Sequence, residues 1–255
     1  MTADVLTADL VEYVLRVGDD ALVAAQRLGE WSTRAPEMEE DIALSNIALD
    51  QLGVARAMLS YAGELEGAGR GEDDLAFLRD DREFRNCLLA ELPNGDFAVT
   101  MARLLFLSTY QLSVYEELSR SGDDRLAGVA AKARKESAYH VDHAAQWTVR
   151  LGDGTPESHR RMQAAVDDLW PYTHELFASD GLVKRLADAG VGVDPAGLRE
   201  GWLGAVSSVL DEATLNRPAD GWAPGGGRDG LHTEHLSYLL TEMQVLHRGH
   251  PGATW

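Results

Sequence analysis

Lys135-Glu136-Ser137-Ala138-Tyr139-His140 is the stretch that decides how this chain is read. Carboxylate-bridged diiron centres are built from helices that each supply a Glu and, three residues later, a His. That spacing brings both side chains into a bundle core from one helix face. Here the residue three before His140 is Ser137, and the residue three after Glu136 is Tyr139. A serine hydroxyl cannot replace a bridging carboxylate, which brings a full negative charge and two oxygens to a pair of iron ions. Whichever register faces inward, one ligand is missing.

Helical periodicity surrounds that stretch on both sides. Ser121-Gly122-Asp123-Asp124 reads as the turn that opens its helix, which runs to about Leu151, and the preceding helix spans about Asp96 to Ser121. Further back, Val11, Val14, Leu15, Val17, Leu22, Val23 and Leu28 recur at mostly three- and four-residue steps across about Leu10 to Trp31. Pro36 marks the start of a second helix running to about Glu66, with a stripe of Ile42, Leu44, Ile47, Leu49, Leu52, Val54 and Leu59. Between Gly67 and Gly95 the chain is charged and turn-rich, and a link with at most a short helix is expected. Two helical hairpins joined by one long crossover have the connectivity of a ferritin-like four-helix bundle.

Beyond Gly152-Asp153-Gly154 a fifth helix carries Met162, Val166, Leu169, Trp170, Leu176 and Phe177, and Pro171 must kink or end it. Helices near Leu182 to Ala189 and Pro195 to Leu215 follow, then a flexible loop at Pro218 to Gly230 and a last helix from about Thr233 to Arg248. The expected fold is all-α, a single ferritin-like domain over 1–255 with its core bundle at about 6–151 and a C-terminal helical extension at about 156–250.

The candidate ligands are incomplete everywhere they are sought. On the second helix, Gln51 and Val54 stand in a carboxylate-x-x-ligand rhythm in one register, and Asp50 and Gly53 in the other. On the third, Ser108 lies where a further carboxylate would enter the core. Gln51, Val54, Ser108, Ser137 and His140 are therefore read as degenerate diiron positions, with no catalytic, cofactor-binding or metal-ligating residue assigned. Asp50, Glu136, His140 and His143 form a candidate residual polar network, since polar groups left in such a core must satisfy one another. Asp19 and Asp20 on the first helix are candidates either for solvent-facing acids or for internally paired ones.

His232-Thr233-Glu234-His235 invites a zinc reading, but H-x-E-H is not a known zinc-helix spacing, and adjacent Glu234 and His235 point about 100° apart on a helix. An N-terminal helix cap at Thr233 or His232 fits better.

Composition narrows the function classes. Lys and Arg number 23 against 42 Asp and Glu, a net charge of −19, which disfavours nucleic-acid backbones and anionic membrane surfaces. With 45 % apolar residues and 8 prolines the chain is globular, and its one cysteine excludes an internal disulfide. No apolar run long enough to cross a bilayer is evident, and Met1 to Leu10 lacks the basic start of a signal peptide. A cytoplasmic location is expected.

In combination, several segments resemble one family: Arg27-Leu28-Gly29-Glu30-Trp31, Ala35-Pro36-Glu37, Asn46-Ile47-Ala48-Leu49-Asp50, Pro93-Asn94-Gly95, Lys135-Glu136 with Tyr139-His140, Asp211-Glu212-Ala213-Thr214-Leu215-Asn216, and Gly230-Leu231-His232-Thr233-Glu234-His235-Leu236. Across essentially the whole chain the sequence resembles the PaaC family, the C subunits of the bacterial phenylacetyl-CoA 1,2-epoxidase, also called ring-1,2-phenylacetyl-CoA oxygenase. The resemblance implies a non-catalytic, structural ferritin-like subunit that pairs with a diiron-bearing catalytic A subunit in aerobic phenylacetate degradation. It also implies a small B subunit and a reductase that carries flavin and an iron–sulfur cluster and draws on NADPH. Two other readings stay open: a metal-binding oxidoreductase with an atypical site at Asp50, Glu136, His140 and His143, and a homo-oligomeric ferritin-like scaffold.

Overall fold

The computed structural model describes residues 3–253; Met1 and Thr2, the first residues of the stretch read for a signal peptide, lie outside the described residues. Regular structure among the described residues is helical throughout, with no strand. Contacts group the chain into two compact units, one made of the residues through Pro93 together with those from Gly225, the other of Asn94–Pro224. The last helix thus groups with the first hairpin, and the second hairpin with the helices that follow it.

The first unit is built on a hairpin of α1 (Ala3–Gly29) and α2 (Met38–Glu66). α1 starts earlier than its apolar stripe suggests. Acids Glu39, Glu40 and Asp41 in the first turn of α2 complement the positive end of its dipole, and Gly67 ends it at φ +67°. The buried side of α2 runs through Leu44, Ile47, Gln51, Val54, Met58 and Ala62. Ile42, Leu49 and Leu52, read from sequence as part of the same stripe, are instead exposed. The link holds two short helices rather than one at most, α3 (Glu72–Phe77) and α4 (Leu88–Glu91), with a 3₁₀ turn at Asp81–Glu83.

The carbonyls that α3 and the turn after it leave open are met from the last helix, α10 (Glu234–Gly249). Gln244 Nε2 donates to the Ala76 and Arg79 carbonyls at 3.0 Å each, and Arg248 donates to those of Phe77 and Arg79 at 2.9 Å. Thr233 caps α10, accepting from the His235 N–H at 3.3 Å.

The second unit is built on α5 (Phe97–Leu118) and α6 (Asp124–Gly152). Asp96 caps α5 through the Val99 N–H at 3.1 Å, and Asp123 caps α6 through the Arg125 and Leu126 N–H groups at 3.0 and 2.9 Å. α5 is apolar nearly all round and buried without a break from Thr100 to Gln111, as an interior helix must be. Contrary to the sequence expectation, it is long and apolar enough to cross a membrane; 78 % of its apolar window is buried inside the protein.

α7 (Pro156–Leu169) stops where Pro171 requires, and Trp170–Phe177 continues as a 3₁₀ helix. After α8 (Gly181–Asp188), a 3₁₀ turn at Pro195–Leu198 leads into α9 (Arg199–Glu212). Phe106, Trp170, Phe177 and Trp202 form an aromatic core with ring centroids 5.2–5.8 Å apart, and the Trp202 indole N–H donates to the Phe106 carbonyl at 2.9 Å. α9 follows α6 closely at Gly152, where a Cβ would stand 2.3 Å from the Ala213 carbonyl oxygen.

Candidate functional site

α6 settles which of its two registers is buried. Its covered line runs Leu126, Ala130, Ala133, Ser137, His140, Ala144 and Thr148, at steps of three and four. Ser137 and His140 lie on that line; Glu136 is half-buried and bonded to Lys132 Nζ at 3.0 Å, and Tyr139 is 77 % exposed. His143 is half-buried on α6. In the same unit Ser108 on α5 is fully buried, and its hydroxyl donates to the Leu104 carbonyl one turn back. On α2, in the first unit, Gln51 and Val54 are buried while Asp50 and Gly53 are half-buried.

The covered ligand-register positions are thus an amide and an isopropyl group on α2 in the first unit, and two hydroxyls and one imidazole on α5 and α6 in the second. Neither set includes a carboxylate, and neither fits a diiron pair, which needs bridging carboxylates to neutralise its charge. Among the described residues, no three His, Cys, Asp or Glu side chains lie together as a metal-holding group.

Buried carboxylates do exist: Glu175 lies in the second unit, and Asp9, Asp19, Asp20 and Glu91 in the first. Asp19 and Asp20 are adjacent on α1, so their side chains diverge by about 100° and reach different partners. Asp19 is fully buried and accepts from both terminal nitrogens of Arg79, Nη1 at 3.0 Å, and from the Arg85 N–H at 2.8 Å. The Arg79 guanidinium also donates to the Leu75 and Glu83 carbonyls, and its carbon stands 4.2 Å over the Phe84 ring. Asp20 accepts from the Cys87 N–H at 2.7 Å and from Arg228 at 2.9 and 2.7 Å. Arg228 further donates to the Arg85 carbonyl at 2.8 Å. Two neighbouring acids on one helix therefore fasten both the crossover link and the segment that leads into α10.

Glu91 forms a second buried knot. One carboxylate oxygen accepts from the Thr233 N–H at 2.6 Å, and the other lies 2.8 Å from Asn86 Nδ2 and 2.7 Å from His232 Nδ1. His232 Nε2 lies 3.0 Å from the Phe84 carbonyl, which can only accept, so Nε2 carries a hydrogen. Arg27 closes the knot from α1, donating to the Glu91 main-chain carbonyl at 3.0 and 2.6 Å and to Glu30 at 2.7 Å.

Close by, Ser237 Oγ donates to Asp81 at 2.7 Å. That bond, seconded by the Arg82 N–H against the opposing effect of burial, holds Asp81 below the usual aspartate range.

Gly230 makes this packing possible. Its φ is +74°, and a Cβ there would stand 2.3 Å from the Arg82 carbonyl oxygen. The segment from Gly227 to Thr233, read from sequence as the end of a flexible loop and a helix cap, is thus bonded along its length. The Asn86, His232 and Thr233 donors around the fully buried Glu91 carboxylate all belong to the chain, so the knot fastens chain segments. Arg79, Glu91 and Arg228 were not singled out by sequence reasoning. For Glu91 a signal existed, a lone acid inside the apolar run Leu88-Leu89-Ala90-Glu91-Leu92. For the arginines there was none.

Two long helical hairpins, a crossover link and short following helices define an all-α chain of the ferritin-like class. The chain belongs to the phenylacetic acid catabolic protein family, whose sequence model matches residues 1–255. It is 49 % identical over 246 residues to the C subunit of 1,2-phenylacetyl-CoA epoxidase from Escherichia coli (strain K12), an alignment covering 96 % of this chain and 99 % of that protein.

Proposed function

We propose that this chain is a non-catalytic, structural subunit of a multicomponent phenylacetyl-CoA 1,2-epoxidase in the cytoplasm, pairing with and stabilising a diiron-bearing catalytic A subunit. The observation that carries the reading is the buried register itself. Gln51, Val54, Ser108, Ser137 and His140 occupy covered positions at ligand spacing and include no carboxylate. The relative's name, which makes it one subunit of an epoxidase, supports the reading from a separate direction. In this reading the diiron centre sits on the A subunit, and flavin, iron–sulfur cluster and NADPH chemistry belong to a reductase. The assembly also includes a small B subunit.

The test is iron content of the chain purified alone, with size exclusion after co-expression with the catalytic subunit. Iron-free protein that co-elutes with that subunit is expected. About two irons per chain would sink the reading and favour an oxidoreductase. A homo-oligomer that ignores the catalytic subunit would favour a scaffold.

A further inference from the structure

α2 carries a second apolar line on the side away from its buried one. Met38, Ile42, Leu49 and Leu52 are 73, 57, 63 and 37 % exposed. With Ser45 and Arg56 they complete a run at 38, 42, 45, 49, 52 and 56, steps of four, three, four, three and four. That alternation is the seam one helix offers to another in knobs-into-holes packing. At about 100° per residue these six positions span about 80° of arc, and Met38 to Leu52 covers about 21 Å of helix. A lone exposed leucine needs no explanation, but a seam of this length and regularity does.

Charge limits what can cover it. The positions flanking the seam in its first turns are Glu39 and Asp41, and those further along include the uncharged Asn46 and the small Ala48 and Gly53. α2 as a whole bears Glu39, Glu40, Asp41, Asp50, Glu64 and Glu66 against a single cation, Arg56, which already donates to Glu72 at 2.8 Å. A second copy would bring a net charge of −19 against −19 and no spare cation on this helix.

We infer that the Met38–Arg56 face of α2 docks a helix of a different chain, one with an apolar seam and with Lys or Arg positioned against Glu39 and Asp41. This rests on the heteromeric function proposed above and adds the surface and the chemistry of its partner. Ser45, Ala48 and Gly53 let that helix approach closely at mid-seam, and the acidic first turn fixes its direction.

The experiment uses the full chain co-expressed with the catalytic subunit. Leu49→Glu, at the centre of the seam, weakens the complex about thirty-fold or more, the loss typical of a central anchor. Its circular dichroism melt stays unchanged because the side chain is already exposed. Leu246→Glu, on an exposed apolar position of α10, leaves the complex intact. The double variant Glu39→Lys with Asp41→Lys weakens it too, and tightening there would overturn the charge assignment. A complex indifferent to Leu49→Glu, or lost with Leu246→Glu instead, overturns the surface. A wild-type homodimer broken by Leu49→Glu overturns the choice of partner. Wild-type chain that binds no other subunit fails at the proposed function itself, before any variant is compared, and the docking face falls with it.

Discussion

Replacing Asp19 by Ala would leave the Arg79 guanidinium, 3 % exposed, facing two carbonyls and a phenyl ring with no anion. Removing one partner of a buried ion pair costs about 3–5 kcal/mol, most of it the uncompensated charge. The Arg85 N–H would also lose its acceptor, and an orphaned buried donor costs about 1–3 kcal/mol. Arg79→Met is expected to cost a similar amount, since the Asp19 carboxylate would keep only that N–H. The double variant Asp19→Leu with Arg79→Met removes both charges; it still strips partners from the Arg85 N–H and the Leu75 and Glu83 carbonyls, but with no uncompensated charge left its cost falls well below the sum of the two singles. Two compact units need not unfold together, so the readout must be local. Amide hydrogen exchange in α1 and in residues 79–87, across a urea series, reports opening of these elements. An Asp19→Ala loss below about 1 kcal/mol would refute the reasoning, as would a double variant that costs the sum of the singles.

Glu91→Ala strands His232, Asn86 and the Thr233 N–H and is expected to cost about 3–5 kcal/mol, whereas Glu91→Gln can donate to a neutral His232 and should cost about 1–2. Thermal melts compare the two, and imidazole nitrogen shifts of wild type at neutral pH should show a hydrogen at Nε2. Gly230→Ala combines a left-handed backbone with a clash against Arg82 and should cost at least about 2 kcal/mol, while Gly249→Ala, with open space around it, should be near neutral in the same melts. Bonds from Arg160 and then Arg161 hold the Glu157 carboxyl down at about 2, against an ordinary 4.5. Because the folded value is depressed, the support these bonds give α7 is present above pH 4.5 and is lost as pH falls toward 2. A carboxyl titration of Glu157 by NMR with a midpoint near the ordinary glutamate value would contradict this.

How much can be read in advance depends on how far apart the interacting residues lie. The hairpins are legible because their evidence is local: periodic apolar residues, Asp96 and Asp123 at helix starts, Gly67 at an end, and Pro171 where α7 stops. The Glu-x-x-His reading is local in the same way, since such an element is complete or broken within four residues. The charged core is not legible. Arg79 lies 60 residues from Asp19 and Arg228 lies 208 from Asp20, and no pattern near either acid names its cation. From sequence the acids at 19 and 20 stay open between solvent and interior; the fold places both in the interior, each against an arginine.

α2 shows a different limit. Its apolar residues read as one stripe, yet Leu44, Ile47 and Val54 are covered within the chain while Ile42, Leu49 and Leu52 are not. Periodicity reports that a residue wants to leave water; it does not report which neighbour removes it. A helix with one apolar face needs one neighbour, and a helix with two needs two. The interior face of α2 buries Gln51 and Val54, an amide and an isopropyl group. The outer face has kept an apolar seam at a cost in solubility that acidic flanks only partly offset. An enzyme has reason to keep ligand chemistry inside and discard the seam; a chain whose task is to hold another protein has reason to do the reverse.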